Sequence, residues 1–123
     1  MTLMEAIVTV DNEKPNSFSE AEKIRWLSVL DGMIKLLLID MHEGGKEMCF
    51  DGYTEQTHQT CKLLVPPPYD DIYIHWLEAH IDYAGGEYEK YNNSISLFNT
   101  TYEAYAKYSH RTHKPISEGY VNF

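Results

Sequence analysis

Apolar positions recur with a helical period along most of the chain. Thr2 and Glu5 have the spacing of a capping box, and Leu3, Ala6, Ile7 and Val10 then share one face. The β-branched run Ile7-Val8-Thr9-Val10 reads as strand instead. Cap and spacing agree, so the expectation is a short helix. Residues 12–18 form a linker around Pro15, Asn16 and Ser17. Ser19 and Glu22 make a second capping box. Behind it run two stripes: Ile24, Leu27, Leu30, Ile34, Leu37 and Met41, and Trp26, Val29, Met33 and Leu36. They predict a helix from Ser19 to Glu43, closed by Gly44-Gly45. Apolar on most sides, it is expected to be the central, core helix, with a face left for another subunit.

The helical period stops at Gly44. Asp51-Gly52, flanked by Met48-Cys49-Phe50 and Tyr53-Thr54, is a hairpin-turn signal, and residues 60–65 read as strand or extended arm. Pro66-Pro67-Pro68 forces extended chain. Asp70 and Asp71 then suit a helix N-terminus, and a helix is predicted over Tyr69–Ala84. Beyond it Tyr88, Tyr91, Ile95, Phe98, Tyr102 and Tyr105 alternate steps of three and four, as heptads do. Gly85-Gly86 lies between the two stretches. The stripe runs through it in phase, which suits a hinge; the glycine pair suits a helix-to-helix turn, the preferred reading. The last helix is expected to fray over His110–Lys114, with Pro115 opening a tail. The fold expected is all-α: a bundle of about four helices, a long loop or hairpin at residues 44–65, and an extended C-terminal arm. Residues 1–115 form the helical domain and 116–123 the arm.

Composition narrows the class. The chain has 123 residues, enough for one domain with a modest core. Its net charge of -9 argues against a general nucleic-acid binder, which needs clustered Lys and Arg. Two cysteines, Cys49 and Cys61, are too few for a disulfide framework, and a reduced cytosolic fold is expected. The opening MTLMEAIVTV has no basic region of a signal peptide. The longest apolar stretch, Met33–Met41, contains Lys35 and Asp40 and is too short to span a bilayer.

Candidate chemistry is thin. His42, Cys49, His58 and Cys61 follow one another like a mixed metal set, but with irregular spacing and no CxxC or HxxxH. In HWLEAH, His75 and His80 are five apart, whereas a zincin helix needs four. His75, Glu78 and Asp82 share a face, more simply a solvated or interface face than a metal-dependent active site. There is no nucleophile elbow and no glycine-rich phosphate loop. The expectation is no enzyme, no metal and no cofactor. The 10 tyrosines are the unusual feature, since tyrosine suits interfaces. Tyr88, Tyr91, Asn92, Tyr102 and Tyr105 are the subunit-interface candidates, with a solvated face as the competing reading for the asparagines. The tail ISEGYVNF is apolar at intervals, which reads as a docking peptide or as an unstructured end.

The stretch from Leu63 to Pro115, with the phrases PPPYDDIY, EYEKYNNS, FNTTYEAY and RTHKP, resembles the C-terminal half of head-to-tail connector (adaptor) proteins of tailed bacteriophages. KPNSFSEAEKIRWLSVLDGMI is similar to the first helices of the same group. The resemblance implies a structural virion protein of the neck, at the head-tail interface, assembled in the host cytoplasm. It implies a ring of copies of itself, typically twelvefold, under the portal protein, joined to the next neck or tail protein. DNA would pass through the channel without sequence-specific binding, and no membrane is involved. It implies a C-terminal arm that docks on the portal, here Arg111, His113, Lys114, Tyr120, Val121 and Phe123. An acidic lining would let DNA slide where a basic one would hold it. A small acidic helical regulatory module, an inhibitor or anti-repressor, is the alternative.

Overall fold

The computed structural model describes residues 1–115 and has four α-helices: α1 Leu3–Glu13, α2 Glu20–Leu37, α3 Asp71–Ala84 and α4 Tyr88–Thr112. Both sequence caps are in place. The Thr2 hydroxyl accepts from the Glu5 amide at 3.2 Å. Ser19 and Glu22 close a reciprocal box, the Glu22 amide donating to the Ser19 hydroxyl at 3.1 Å. The face read for α1 is the buried one: Leu3, Ala6, Ile7 and Val10.

α2 is shorter than expected. It stops at Leu37, and a single 3₁₀ turn, Ile39–Met41, carries the chain on. Gly44, at φ +80°, therefore turns the loop and does not cap the helix. Nor is α2 the central element. α3 packs against α1, α2 and α4, while α2 meets α1, α3 and the 3₁₀ turn. The core stripe of α2 is nevertheless buried: Ile24, Leu27, Leu30 and Ile34, joined by Leu38 just beyond the helix. Its other stripe splits, with Trp26 buried and Val29, Met33 and Leu36 exposed.

Gly85-Gly86 is a turn. The Glu87 amide donates to the Asp82 carbonyl at 2.9 Å and the Gly86 amide to the Tyr83 carbonyl at 3.1 Å. With Gly86 at φ +76°, this is a Schellman motif, which satisfies the last carbonyls of α3 and ends it. α4 then folds back along α3, pairing Trp76 with Phe98 (ring centroids 5.0 Å apart) and Tyr69 with Tyr105 (5.7 Å).

No hairpin forms at Asp51-Gly52. Among the described residues there are only two isolated antiparallel bridges, Thr2 with Lys62 and His42 with Pro115. The long loop is held by what it offers the helices. The carbonyls of Cys61 and Gln59 accept from the Leu3 and Met4 amides at 2.8 and 3.2 Å. Those amides open α1 and have no partner inside it. Tyr53, Leu63 and Val65 enter the core.

The deepest polar group lies where loop and helices meet. Asp31, on the core side of α2, is fully buried. Oδ1 accepts from the Tyr73 hydroxyl at 2.6 Å, and Oδ2 accepts from the Leu64 amide at 3.0 Å and from the Tyr53 hydroxyl. The Tyr73 hydroxyl in turn accepts from the Val65 amide at 2.7 Å. One carboxylate thus fastens α2, α3 and the loop together. Asp82 plays a parallel part: Lys14 reaches it at 2.5 Å and Ser94 at 3.0 Å, tying α3 to the end of α1 and to α4.

Candidate functional site

Among the described residues, the outer face of α2 carries a row of exposed apolar side chains. Val29, Met33 and Leu36 recur at steps of four and three, so they form one stripe. It lies on the side away from Leu27, Leu30 and Ile34. Val29 is 51% exposed and Leu36 is 65% exposed. Leu37 and Met41 extend the exposed apolar surface to the 3₁₀ turn. Single exposed apolar residues are ordinary, whereas neighbouring ones on one helix face make that face the candidate interaction surface.

Next to it lies the base of the C-terminal arm. His42 follows the 3₁₀ turn and is 4% exposed. Its Nδ1–H donates to the Leu38 carbonyl at 2.6 Å, which leaves Nε2 facing His110 Nδ1 at 3.1 Å. With His42 neutral, Nε2 is the acceptor and His110 the donor. The His113 ring lies 5.7 Å from that of His42. The chain leaving α4 runs antiparallel to residues 42–43: the Glu43 amide donates to the Lys114 carbonyl at 2.8 Å, and Pro115 bridges His42. Gly45 lets the chain fold tightly back on the 3₁₀ turn, since a Cβ there would lie 1.7 Å from the Ile39 carbonyl oxygen.

Of the arm residues expected to dock, Arg111, His113 and Lys114 are exposed at this base. Arg111 and His110 line a shallow recess of about 560 Å³ with Tyr69, Ala104 and Lys107. Tyr120, Val121 and Phe123 lie outside the described residues. The heptad-like stripe on α4 is mostly spent within the chain. Tyr105 is buried against Tyr69, Phe98 is buried against Trp76, and Tyr102 is half-buried beside Phe98. Tyr91 lines an aromatic cleft of about 340 Å³ with Trp76, His80 and Tyr83. Tyr88 and Asn92 are exposed. The period in α4 therefore reports its packing on α3. The reason lies in the turn before it: once Gly86 reverses the chain, that face has α3 beneath it.

The residues weighed for metal chemistry have other surroundings. His42 is buried at the arm base, while Cys49 is exposed and both cysteines are free thiols. The His58 ring stays local, accepting from the Thr60 amide at 3.1 Å. Asp82 is engaged by Lys14 and Ser94. Glu78, beside it, is half-buried, and burial pushes its carboxyl above the ordinary range, partly offset by Lys14. His75 Nδ1 is buried without a hydrogen-bond partner. His80 stacks on Trp26 and meets Trp76 edge-on, ring centroids 4.7 Å away in both cases, and burial lowers its proton affinity. Among the described residues no three metal-ligating side chains converge, and no helix is long and apolar enough to cross a membrane.

Sequence reasoning missed Asp31. The signal was present, for Asp31 falls on the core side of α2 beside Leu27, Leu30 and Ile34. A carboxylate there demands donors, and tyrosines are the abundant ones in this chain. Comparison with family models, with curated proteins and with solved structures gave no match.

Proposed function

We propose that this chain is a structural subunit of a tailed-phage neck, a head-to-tail connector that assembles as a ring under the portal. The observation that carries the reading is the outer stripe of α2. Val29, Met33 and Leu36 are exposed on a helix whose other side is locked into the core. A ring subunit needs such a heterologous contact, one face meeting a different face of the next copy. The arm base supports the second half of the reading. Arg111, His113 and Lys114 are exposed where the chain leaves α4, which is compatible with contact to a partner there. The excess of acidic residues suits a channel through which DNA slides.

Sedimentation velocity tests this, on the chain alone and mixed with purified portal. The reading expects slow-sedimenting chain alone and co-sedimentation in the mixture, with as many chains as portal subunits. A tight two-fold dimer indifferent to portal would favour the regulatory module instead.

A further inference from the structure

The basic side chains of this acidic chain are unevenly used. Lys14, Lys23, Lys35 and Lys90 are ion-paired with Asp82, Asp11, Asp40 and Glu87. Lys107 and Arg111 differ: among the described residues neither makes a salt bridge. Both are exposed, and they stand one turn apart on α4. With Tyr69, Ala104 and His110 they line the shallow recess of about 560 Å³, whose lining includes no acid. Its walls are held from behind. His110 Nδ1 meets Nε2 of the buried His42 at 3.1 Å, and the Tyr69 ring packs on Tyr108 with centroids 5.1 Å apart. A surface fixed in advance loses little freedom when something binds. Cations in the last turn of a helix complement its dipole, which accounts for Arg111. Lys107 lies further in, and Tyr69 comes from outside α4.

We propose that this recess binds a carboxylate-bearing segment of a partner protein, a run of Asp or Glu side chains. Arg111 takes one carboxylate through its planar fork, Lys107 takes a second as a point charge, and Tyr69 packs on the aliphatic parts. Duplex DNA is the competing polyanion, and the whole chain opposes it. A net charge of -9 repels a phosphate backbone, and the lysine and arginine of the recess neutralise too few phosphates to hold one. That the acidic segment belongs to the portal rests on the connector reading. The recess itself does not, and a test without portal lets the two fail separately.

Fluorescence anisotropy supplies that test, with a labelled hexaglutamate peptide and a labelled short DNA duplex titrated with the full chain. The variant K107Q/R111Q is compared with K46Q/K62Q, which removes the same charge from two lysines of the long loop. All of these positions are exposed, so the fold is kept. The expected outcome is saturable binding of hexaglutamate that weakens at least about tenfold in K107Q/R111Q and stays within about twofold of the parent in K46Q/K62Q. Binding should also weaken as salt is raised. Equal loss in the two variants would overturn the proposal, since general charge and not the recess would then attract the peptide. So would failure of the parent chain to bind hexaglutamate, or a duplex that binds more tightly than the peptide, which would make the recess a phosphate site.

Discussion

Asp31 is the residue on which most of the fold turns. It is buried with three donors and no cation among its hydrogen-bond partners, so its charge is held by hydroxyls and one amide. Asp31→Ala would strand those three donors and open a hole. A loss of about 3 kcal/mol or more is expected in urea unfolding. Tyr73→Phe would leave the Val65 amide and one carboxylate oxygen without a partner, costing about 1–3 kcal/mol. The pH dependence has a definite sign. Burial pushes Asp31 above its ordinary value near 3.8, and the bonds from Tyr53, Tyr73 and the Leu64 amide only partly oppose this. Just above 3.8 the native chain therefore holds a proton that the unfolded chain has released. Asp31's contribution to stability is greatest below that range and falls as pH rises through it. The melting-temperature gap between the parent and Asp31→Asn should narrow as pH rises from about 4. A widening gap would mean the native carboxyl titrates lower than its ordinary value. The phenols of Tyr53 and Tyr73 are pushed far up, by burial and then by the Asp31 charge, so they stay protonated donors throughout.

At the scale of elements, much of the fold was legible and the reasons are local. Thr2 with Glu5 and Ser19 with Glu22 announced α1 and α2 because a helix start needs a side-chain acceptor three residues before its orphan amides. The core stripe of α2 was readable for the same reason that it is buried, its helical period. Leu30→Ala or Ile34→Ala should cost about 2–5 kcal/mol, and a melt within a degree of the parent would refute the packing. The end of α2 was not legible, since the apolar run continues past Leu37 into the 3₁₀ turn without a breaker. The loop was not legible either. Its order comes from Asp31 and from the amides of Leu3 and Met4, partners distant in sequence. Within the tyrosine stripe of α4, Tyr102 and Tyr105 pack inside the chain while Tyr88 stays exposed, because period alone does not say whether α3 or a second copy covers a face. The turn that decides this depends on Gly86. Gly86→Ala has open space for its methyl group but must adopt a left-handed backbone, costing about 1–2 kcal/mol with helical content unchanged in circular dichroism.

At the scale of the whole molecule, the described residues form a well-tied bundle whose α2 keeps an exposed apolar face. Buried polar anchors at Asp31 and Asp82 fix the inside. The outer stripe of α2 and the arm base at His42, His110 and His113 lie side by side at the 3₁₀ turn, so surface and arm share one end of α2. Under the proposed connector reading, that adjacency would bring the contact between copies and the contact with the portal to one end of α2. The two contacts are separable by substitution, because Leu36 is 65% exposed and a change there spares the core. The most direct measurement is electron microscopy of purified portal mixed with the parent chain or with Leu36→Glu, after circular dichroism shows equal melting temperatures. The account predicts a closed extra ring on the portal with the parent chain and none with Leu36→Glu. A complete ring formed equally by both chains would contradict the role of the α2 stripe, and bare portals with the parent chain would contradict the connector reading itself.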